Sequence, residues 1–242
     1  MKEVLQDIYI GRTSLDSIEF KYDATEVPLY KGEDREFQIF IKNFASPTHI
    51  TFLPDDAIRE LIANALIHQD FEIASMWPVV EVYSNRVEVS NPGEPMVPVE
   101  RFIDGYQSRN ERLADFMRRM SICEERSSGV DRIISAVEFY QLPAPDFKTG
   151  YRRLVATIFG LKAFEDMGRD DRIRACYQHC ALKHVMSEQM TNQSLRERFG
   201  LAQSKQPVVS QVIAASVATG LIKQDERRRD SKRYARYLPF WA

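Results

Sequence analysis

Three polar residues recur at a spacing of four in the stretch "IRELIANALIHQDF", residues 58–71: Glu60, Asn64 and His68. On a helix, side chains four residues apart are neighbours on one face. A carboxylate beside a carboxamide could do phosphate chemistry, because Glu60 could orient a water for attack while the amide oxygen of Asn64 is a suitable Mg²⁺ ligand. The same pair is also common on solvated helix faces, and that is the ordinary explanation of the spacing.

A helix is needed to position this stripe. Apolar residues of the same stretch gather on the neighbouring face, and Pro54, Asp55 and Asp56 come directly before them. An Asp can cap the free N–H groups of a helix start and complement the helix dipole. The sequence therefore predicts a helix over residues 55–68.

The segments around this helix have the patterns of a mixed sheet. Residues 1–53 contain short alternating runs rich in β-branched and aromatic residues, broken by Gly, Pro, Asn and Asp, which are typical of strands. After the helix come a predicted hairpin at 80–83 and 86–90 ending in an Asn-Pro-Gly turn, helices within 110–122 and 127–142, and a strand within 151–160. This order predicts an α+β fold with helices on one face of the sheet.

A second domain is predicted beyond a linker at residues 161–170. It contains helices at 171–186, at 192–199 with Thr191 as the cap, and at 206–219, followed by two segments that can pair as strands. Three short helices and a basic hairpin are the order of a winged helix, in which the third helix enters the major groove of DNA. The sequence therefore predicts a winged-helix domain at residues 171–242.

Charge supports DNA as the partner of this domain. Eight basic and three acidic residues give residues 201–242 a formal charge of +5, within a chain whose net charge is −2. The predicted DNA contacts are Gln203, Ser204, Lys205, Gln206, Ser210 and Gln211 near the start of the third helix, and Arg227, Arg228, Arg229, Lys232 and Arg233 on the wing. Winged helices also serve as protein-binding or dimerising modules, and this alternative stays open.

Five motifs follow one another between Pro54 and Phe147: "IRELIANALIHQDF", "NRVEVSNPGEP", "SRNERLADFM", "EERSSGVDRI" and "LPAPDF". Together they resemble the C-terminal region of RecG-like helicases and of transcriptional regulators often found behind a Schlafen AlbA-type domain. The resemblance implies a GHKL (Bergerat)-like α/β sandwich, the ATPase fold of gyrase, heat-shock chaperones and histidine kinases, over residues 54–164, with its sheet shared with 1–53. The chain lacks the Gly-x-x-x-x-Gly-Lys-Ser/Thr loop of a helicase motor.

The resemblance also implies a nucleotide site. In that family an acidic residue and an Asn on the first site helix polarise water and hold Mg²⁺, and Glu60 and Asn64 match this pair. Asn91 and Gly93 of "NPG" lie where an Asp-x-Gly-x-Gly box would contact adenine, and Gly129 of "RSSGV" lies where glycines cradle phosphate. The implied nucleotide-binding residues are thus Asn64, Asn91, Gly93 and Gly129, with Glu60 catalytic only in a working ATPase and Asn64 a metal ligand only if nucleotide binds.

The glycine positions of this implied site are incomplete. No Asp is present at "NPG", Gly93 is alone, and Ser127 occupies a place that is often Gly in the family. Backbone N–H groups can close on a phosphate only where no Cβ intervenes. We therefore interpret the site as degenerate. Arg109 of "SRN" could bind phosphate or fix a loop through a carboxylate, and we favour the loop; for His68 we favour a structural hydrogen bond.

The segment "CYQHCALKH", residues 176–184, invites a zinc interpretation, which its geometry opposes. Cys176 and His184 are separated by about 12 Å of helix rise, whereas zinc ligands lie about 2.0 to 2.3 Å from the metal. We therefore expect the thiols to be packed inside the first helix of the winged domain. The three cysteines of the chain are scattered and do not form a disulfide framework.

The sequence as a whole predicts a cytoplasmic two-domain regulator that binds double-stranded DNA. It has no apolar run of about 20 residues and no secretory leader. ATP and Mg²⁺ are candidate cofactors without a certain assignment, and a homodimer is a candidate assembly. Two alternatives remain: a Mg²⁺-dependent ATPase whose nucleotide state controls oligomerisation, and a dimerising scaffold that binds protein. Residues 1–53 contain no recognisable AlbA-type domain, so we expect a fragment or a short form.

Overall fold

A computed structural model describes the backbone of residues 27–31 and 38–41, and residues 53–74, 76–83, 85–120, 122, 129–226 and 235–242 in full. Backbone contacts divide the chain into two compact units. Unit 1 comprises residues 1–133 and 145–160, and unit 2 comprises residues 134–144 and 161–242. The strands predicted within residues 1–26 and 49–52 lie outside the described residues, as do the wing residues 227–234.

The described part of unit 1 contains a six-stranded mixed sheet. Its strands are β1 (Val27–Lys31), β2 (Gln38–Ile41), β3 (Val79–Val82), β4 (Arg86–Pro92), β5 (Asp146–Gly150) and β6 (Arg153–Phe159), in the spatial order β1-β2-β3-β4-β6-β5. Strands β2 and β3 are parallel, and the other neighbours are antiparallel. The helices of unit 1 are α1 (Asp55–His68) and α2 (Glu111–Arg119), and α3 (Val130–Phe139) begins in unit 1 and ends in unit 2. This confirms the predicted mixture of sheet and helices.

Helix α1 has the predicted bounds, but its N-terminal cap differs from the predicted one. Its N-cap is Pro54, in an extended conformation, and no side chain caps the helix. The prediction that an Asp side chain caps this helix was therefore wrong, because Asp55 and Asp56 already lie inside the first turn. There their negative charges still complement the positive end of the helix dipole.

Strand β4 continues past the predicted hairpin end. It pairs with β6 through Asn91 opposite Leu154 and Pro92 opposite Arg153, so the predicted turn is delayed. The chain turns only at Gly93, whose φ is +102°. This long-range pairing explains why a local pattern placed the end of the strand too early.

Unit 2 contains three helices and a small sheet in its described part. They are α4 (Arg169–Val185), α5 (Asn192–Arg198), α6 (Gln206–Ala218) and the antiparallel strands β7 (Ile222–Gln224) and β8 (Tyr237–Pro239). The Thr191 cap is confirmed: its side chain accepts from the Ser194 N–H at 3.1 Å, and the Ser194 hydroxyl accepts from the Thr191 N–H at 3.0 Å. This reciprocal pair satisfies two N–H groups at the start of α5.

The predicted linker at 161–170 is ordered. It contains a 3-10 helix at Phe164–Asp166, and α4 begins at Arg169, two residues before its predicted start. The buried ring of Phe164 packs edge-on against Phe199, with centroids 4.9 Å apart, and the Arg172 guanidinium lies 4.3 Å from the Phe164 centroid. An aromatic anchor therefore holds this segment within unit 2. None of the described helices combines the length and apolarity that crossing a membrane requires.

Candidate functional sites

The polar stripe of α1 splits into two environments in unit 1. Glu60 is only 8% exposed, and a Cβ placed on Gly129 would come within 1.8 Å of its Oε1 atom. Gly129 has a φ of +71°. The Glu60 side chain therefore packs directly against the Gly129 backbone, whose positive φ favours glycine.

Asn64 and His68 line a cavity of about 70 Å³, together with Asn91 from β4. Most of its other walls are apolar, among them Val89, Phe102, Phe147 and Leu154. Ligand pockets of small molecules typically have about 300 to 1,000 Å³. The cavity therefore has room for a few waters but not for a nucleotide in this conformation.

One wall of the cavity comes from a segment that the motif analysis did not single out. Between the "NPG" and "SRN" motifs, residues 94–107 contribute Met96, Val97 and Tyr106 to the lining. Its proline and apolar residues are the signals that could have been noticed, although neither specifies a cavity. Arg118 donates a hydrogen bond of 3.1 Å to the Tyr106 hydroxyl and so ties this segment to α2.

Gly93 has a structural use beside the cavity. A Cβ at this position would come within 2.8 Å of the Asp70 Cβ, and the Gly93 N–H donates to the Arg152 carbonyl oxygen at 2.8 Å. Asn91 is 4% exposed, and its amide donates to the Pro92 carbonyl oxygen at 3.2 Å. The backbone donor that a phosphate or adenine contact would use at Gly93 is therefore already engaged.

The "SRN" motif holds the end of α1 in place. Arg109 donates to the Glu94 carbonyl oxygen at 2.6 Å and lies 3.4 Å from the Asp70 carboxylate. The Asn110 amide donates to the carbonyl oxygens of Ile67 and Gln69, at 2.7 and 2.8 Å. These contacts agree with the favoured role of Arg109 as a loop clamp.

His68 lies in the cavity wall close to this clamp. Burial, and secondly the positive charge of Arg109, lower the pKa of His68 below its ordinary value. Both effects disfavour the protonated ring. His68 is therefore neutral at neutral pH, while Asp70 is held by Arg109 and by the Glu72 N–H at 3.0 Å.

Helix α6 of unit 2 has one buried face and one exposed face. Val209, Val212, Ile213 and Ser216 are buried, whereas Val217 is 41% exposed. The predicted contact residues Gln203, Ser204, Lys205, Gln206, Ser210 and Gln211 are all exposed, and Arg227, Arg228, Arg229, Lys232 and Arg233 lie outside the described residues.

A buried polar cluster in unit 2 was not predicted. His179 is 3% exposed; its Nδ1 lies 2.8 Å from the Glu138 carboxylate and its Nε2 lies 3.1 Å from the Ser194 hydroxyl. Arg198 is 5% exposed, donates to the Leu142 carbonyl oxygen at 2.7 Å and lies 3.7 Å from Glu138. Residues so far apart in sequence leave no local signal.

This cluster has the residue types of a hydrolase triad but a structural arrangement. The Ser194 hydroxyl is already bonded to the backbone of Thr191 in the cap of α5. The His179 ring is buried, so it has no access to a substrate. We therefore assign the cluster to the packing of α5 against α4 and against the segment that contains Glu138 and Leu142.

The thiols of α4 are packed in the core of unit 2, as predicted. Cys176 and Cys180 are fully buried. Burial raises the pKa of Cys176 to about 12 and that of Cys180 further still. Metal binding needs thiolates, whereas both groups are protonated at neutral pH. The His184 ring lies edge-on to Trp241, with centroids 5.1 Å apart.

Comparisons with known proteins bear on unit 1. Residues 76–158 match the family model described as "Putative ATP-dependent DNA helicase recG C-terminal". This ATPase-like family confirms the predicted resemblance over that stretch. A solved structure, the DIP2311 protein from Corynebacterium diphtheriae, is 18% identical over 67% of this chain and 36% of that chain, with a TM-score of 0.43. This chain thus spans about a third of that protein. No curated protein matches the chain significantly.

The matched stretch, residues 76–158, contains Asn91, Gly93 and Gly129, whereas Glu60 and Asn64 lie before it. The residues present do not fit a magnesium nucleotide well. The cavity is small and mostly apolar, the Gly93 N–H is engaged, and Arg109 is held by Glu94 and Asp70. Among the described residues, which do not include 123–128, the Gly93 N–H and the Arg109 guanidinium are engaged by the protein and are not available to a triphosphate.

Proposed function

We propose that the protein is a transcriptional regulator that binds double-stranded DNA through a winged helix formed by residues 171–242. The observation that carries the proposal is the two-faced helix α6, which buries Val209, Val212 and Ile213 and exposes Gln206, Ser210 and Gln211. It follows α4 and α5 and precedes the paired strands β7 and β8, the order of elements in a winged helix. Polar residues on the outer face of the third helix can reach base edges or phosphates.

Electrostatics and the family description support the same partner. The segment between β7 and β8 contains Arg227, Arg228, Arg229, Lys232 and Arg233 in the sequence, and a basic wing can neutralise phosphates. The family matched by residues 76–158 is described as part of a DNA helicase. Since the chain lacks a nucleotide-binding P-loop, we propose DNA binding without motor activity. Cytoplasmic location and a homodimer belong to this proposal.

For residues 54–164 we propose a GHKL-like domain, continuous in its sheet with residues 1–53, whose nucleotide site is degenerate. The cavity of about 70 Å³ and the engaged Gly93 N–H support this.

The DNA proposal is tested by salt titration of duplex binding, measured by fluorescence anisotropy on the whole chain. Replacing Arg227, Arg228, Arg229, Lys232 and Arg233 by Ala should flatten the plot of log K against log salt by about three units, if the wing makes about three phosphate contacts. The control replaces the exposed Arg112 and Arg119 of α2 and should leave the slope unchanged. If the folded wild type does not bind duplex at low salt, a protein-binding scaffold replaces the proposal.

Thermal melting with Mg-ATP tests the degenerate site. A ligand that binds only the folded state stabilises it by about 2.7 kcal/mol at a hundred times its dissociation constant. We expect little or no shift at millimolar Mg-ATP. A clear shift that disappears in Asn64→Ala would overturn the degenerate site and favour the Mg²⁺-dependent ATPase, in which Asn64 would bind the metal and Glu60 would orient the water.

A further inference from the structure

The outer face of α6 has an unusual composition for a DNA-reading helix. Its exposed residues are Gln206, Pro207, Ser210, Gln211, Ala214, Val217 and Ala218. None of them is charged, and Lys205 directly before the helix is the nearest cation among the described residues of this segment. Arg or Lys paired with guanine is the commonest specific contact in the major groove, and Asp or Glu accepts from cytosine. The face of α6 has neither.

The residues that are present match the other base pair. A Gln side chain can bond to N6 and N7 of adenine at once, and an Ala methyl can contact the C5-methyl group of thymine. Gln211 and Ala214 are three residues apart and both exposed, so they are neighbours on the helix surface. Three residues rise about 4.5 Å, comparable with the 3.4 Å step between successive base pairs.

The start of the helix is held in position for such contacts. The Asn192 amide of α5 donates to the Gln206 carbonyl oxygen at 3.2 Å and to the Ser210 hydroxyl at 2.9 Å. Among the residues that the structure describes, none forms a hydrogen bond with the Gln211 amide. Ser210 is therefore fixed by the protein, whereas Gln211 keeps its donor and acceptor for a ligand.

We propose that α6 reads A·T base pairs in the major groove, with the Gln211 amide on adenine and the Ala214 methyl group on thymine. This inference rests on the proposed binding of DNA by residues 171–242. In it the arginine-rich wing supplies affinity for any duplex, because phosphate contacts carry no sequence information. The uncharged face of α6 then supplies the preference among sequences.

The test compares duplexes that separate the two grooves. Hypoxanthine·cytosine pairs present the minor groove of A·T but the major-groove acceptors of G·C. Whole chain is titrated by anisotropy, at one salt concentration, with 20-base-pair duplexes of alternating A·T, hypoxanthine·C and G·C. We expect the A·T duplex to bind about tenfold tighter than the other two, the discrimination of one good bidentate contact.

Variants assign the contacts to residues. Gln211→Ala should remove most of the preference for A·T, whereas Gln193→Ala, an exposed glutamine on α5, should leave it unchanged. Replacing thymine by uracil removes only the methyl group and should weaken binding of the wild type but not of Ala214→Ser. Circular dichroism and melting confirm that each variant is folded.

The outcomes distinguish this inference from the proposed function. Equal binding of all three duplexes with a steep salt dependence would overturn the A·T inference and leave DNA binding intact. If the hypoxanthine·C duplex binds as tightly as the A·T duplex, the base pairs are read in the minor groove, and this result would also overturn the A·T inference. If no duplex binds the folded chain at low salt, the proposed function and this inference both fall.

Discussion

The cavity of unit 1 and the outer face of α6 use similar polar residues in opposite ways. Around the cavity, Arg109 and Asn110 bond to carbonyl oxygens and Asp70 of their own unit. On α6, the side chains of Gln206 and Gln211 are exposed. Neither side-chain amide forms a hydrogen bond with the residues that the structure describes. The amide and guanidinium groups around the cavity are thus satisfied by the protein, whereas the two amides on α6 are available to a ligand. Residue type and spacing alone did not distinguish the two.

The largest expected change in stability is at Gly129, which packs against Glu60 in unit 1. In Gly129→Ala the new Cβ would meet the Glu60 carboxylate at 1.8 Å and the backbone would keep a φ of +71°. Overpacking and positive φ together should lower the free energy of unfolding of unit 1 by about 3 kcal/mol. Urea unfolding in a Trp241→Phe background measures this, since Trp77 is then the only tryptophan in the chain.

Two variants control this result. Gly220→Ala in unit 2 also has a positive φ, +76°, but its new Cβ would have no atom within 4 Å. With Trp241 as the reporter in a Trp77→Phe background, it should cost only about 1 kcal/mol. Combining Gly129→Ala with Glu60→Ala should recover part of the loss. If Gly129→Ala is as stable as the wild type, the Glu60 side chain does not pack tightly on this glycine.

Arg109→Ala sharpens the contrast between a clamp and a ligand contact. The change removes the hydrogen bond to Glu94 and leaves Asp70 without its cation. We expect unit 1 to lose about 2 kcal/mol of stability, the usual contribution of a hydrogen bond to a charged group, in the Trp77-reported urea transition. Arg112→Ala on the exposed side of α2 should change it by less than about 0.5 kcal/mol. Unchanged stability with lost Mg-ATP binding would reverse the assignment of Arg109.

The smallest expected effect is the pH dependence of unit 1. The pKa of His68 is lowered in the folded state. Between that lowered pKa and the value of about 6.5 in the unfolded chain, the unfolded chain therefore binds more protons than the folded chain. Stability from this group is therefore complete above about pH 6.5 and falls as the pH drops from there to the folded pKa. His68→Gln should flatten the Trp77-reported dependence between pH 7.5 and 5, and His184→Gln in unit 2 should not. If the wild type, His68→Gln and His184→Gln show the same dependence of stability on pH, the folded state does not lower the pKa of His68.

Local periodicity was enough to predict the helices but not the partners of their side chains. Helices α1, α5 and α6 lie within one residue of their predicted bounds, since apolar spacing and the Thr191 cap act over a few residues. The end of β4, in contrast, depends on a strand 60 residues away, and its pairing is invisible to a local pattern. The predicted linker failed because one aromatic residue, Phe164, anchors it.

The candidate site shows the same limit. The spacing of Glu60, Asn64 and His68 correctly predicted a common face on α1, and the family resemblance brought Gly129 to it. Neither could show that Arg109 is engaged or that residues 94–107 wall the cavity, because these contacts join segments by tertiary packing. Assignments to ATP, Mg²⁺ and DNA remain predictions for the experiments above.

Helix α3 has a consequence for dissecting the chain into parts. The division between the units falls inside it, so that Ile134–Phe139 belong to unit 2. A fragment beginning at residue 161 would lack Glu138 and Leu142, the partners of His179 and Arg198. Removing one side of a buried ion pair typically costs about 3 to 5 kcal/mol. A breakpoint within residues 161–170 would therefore transfer a C-terminal region with a damaged core.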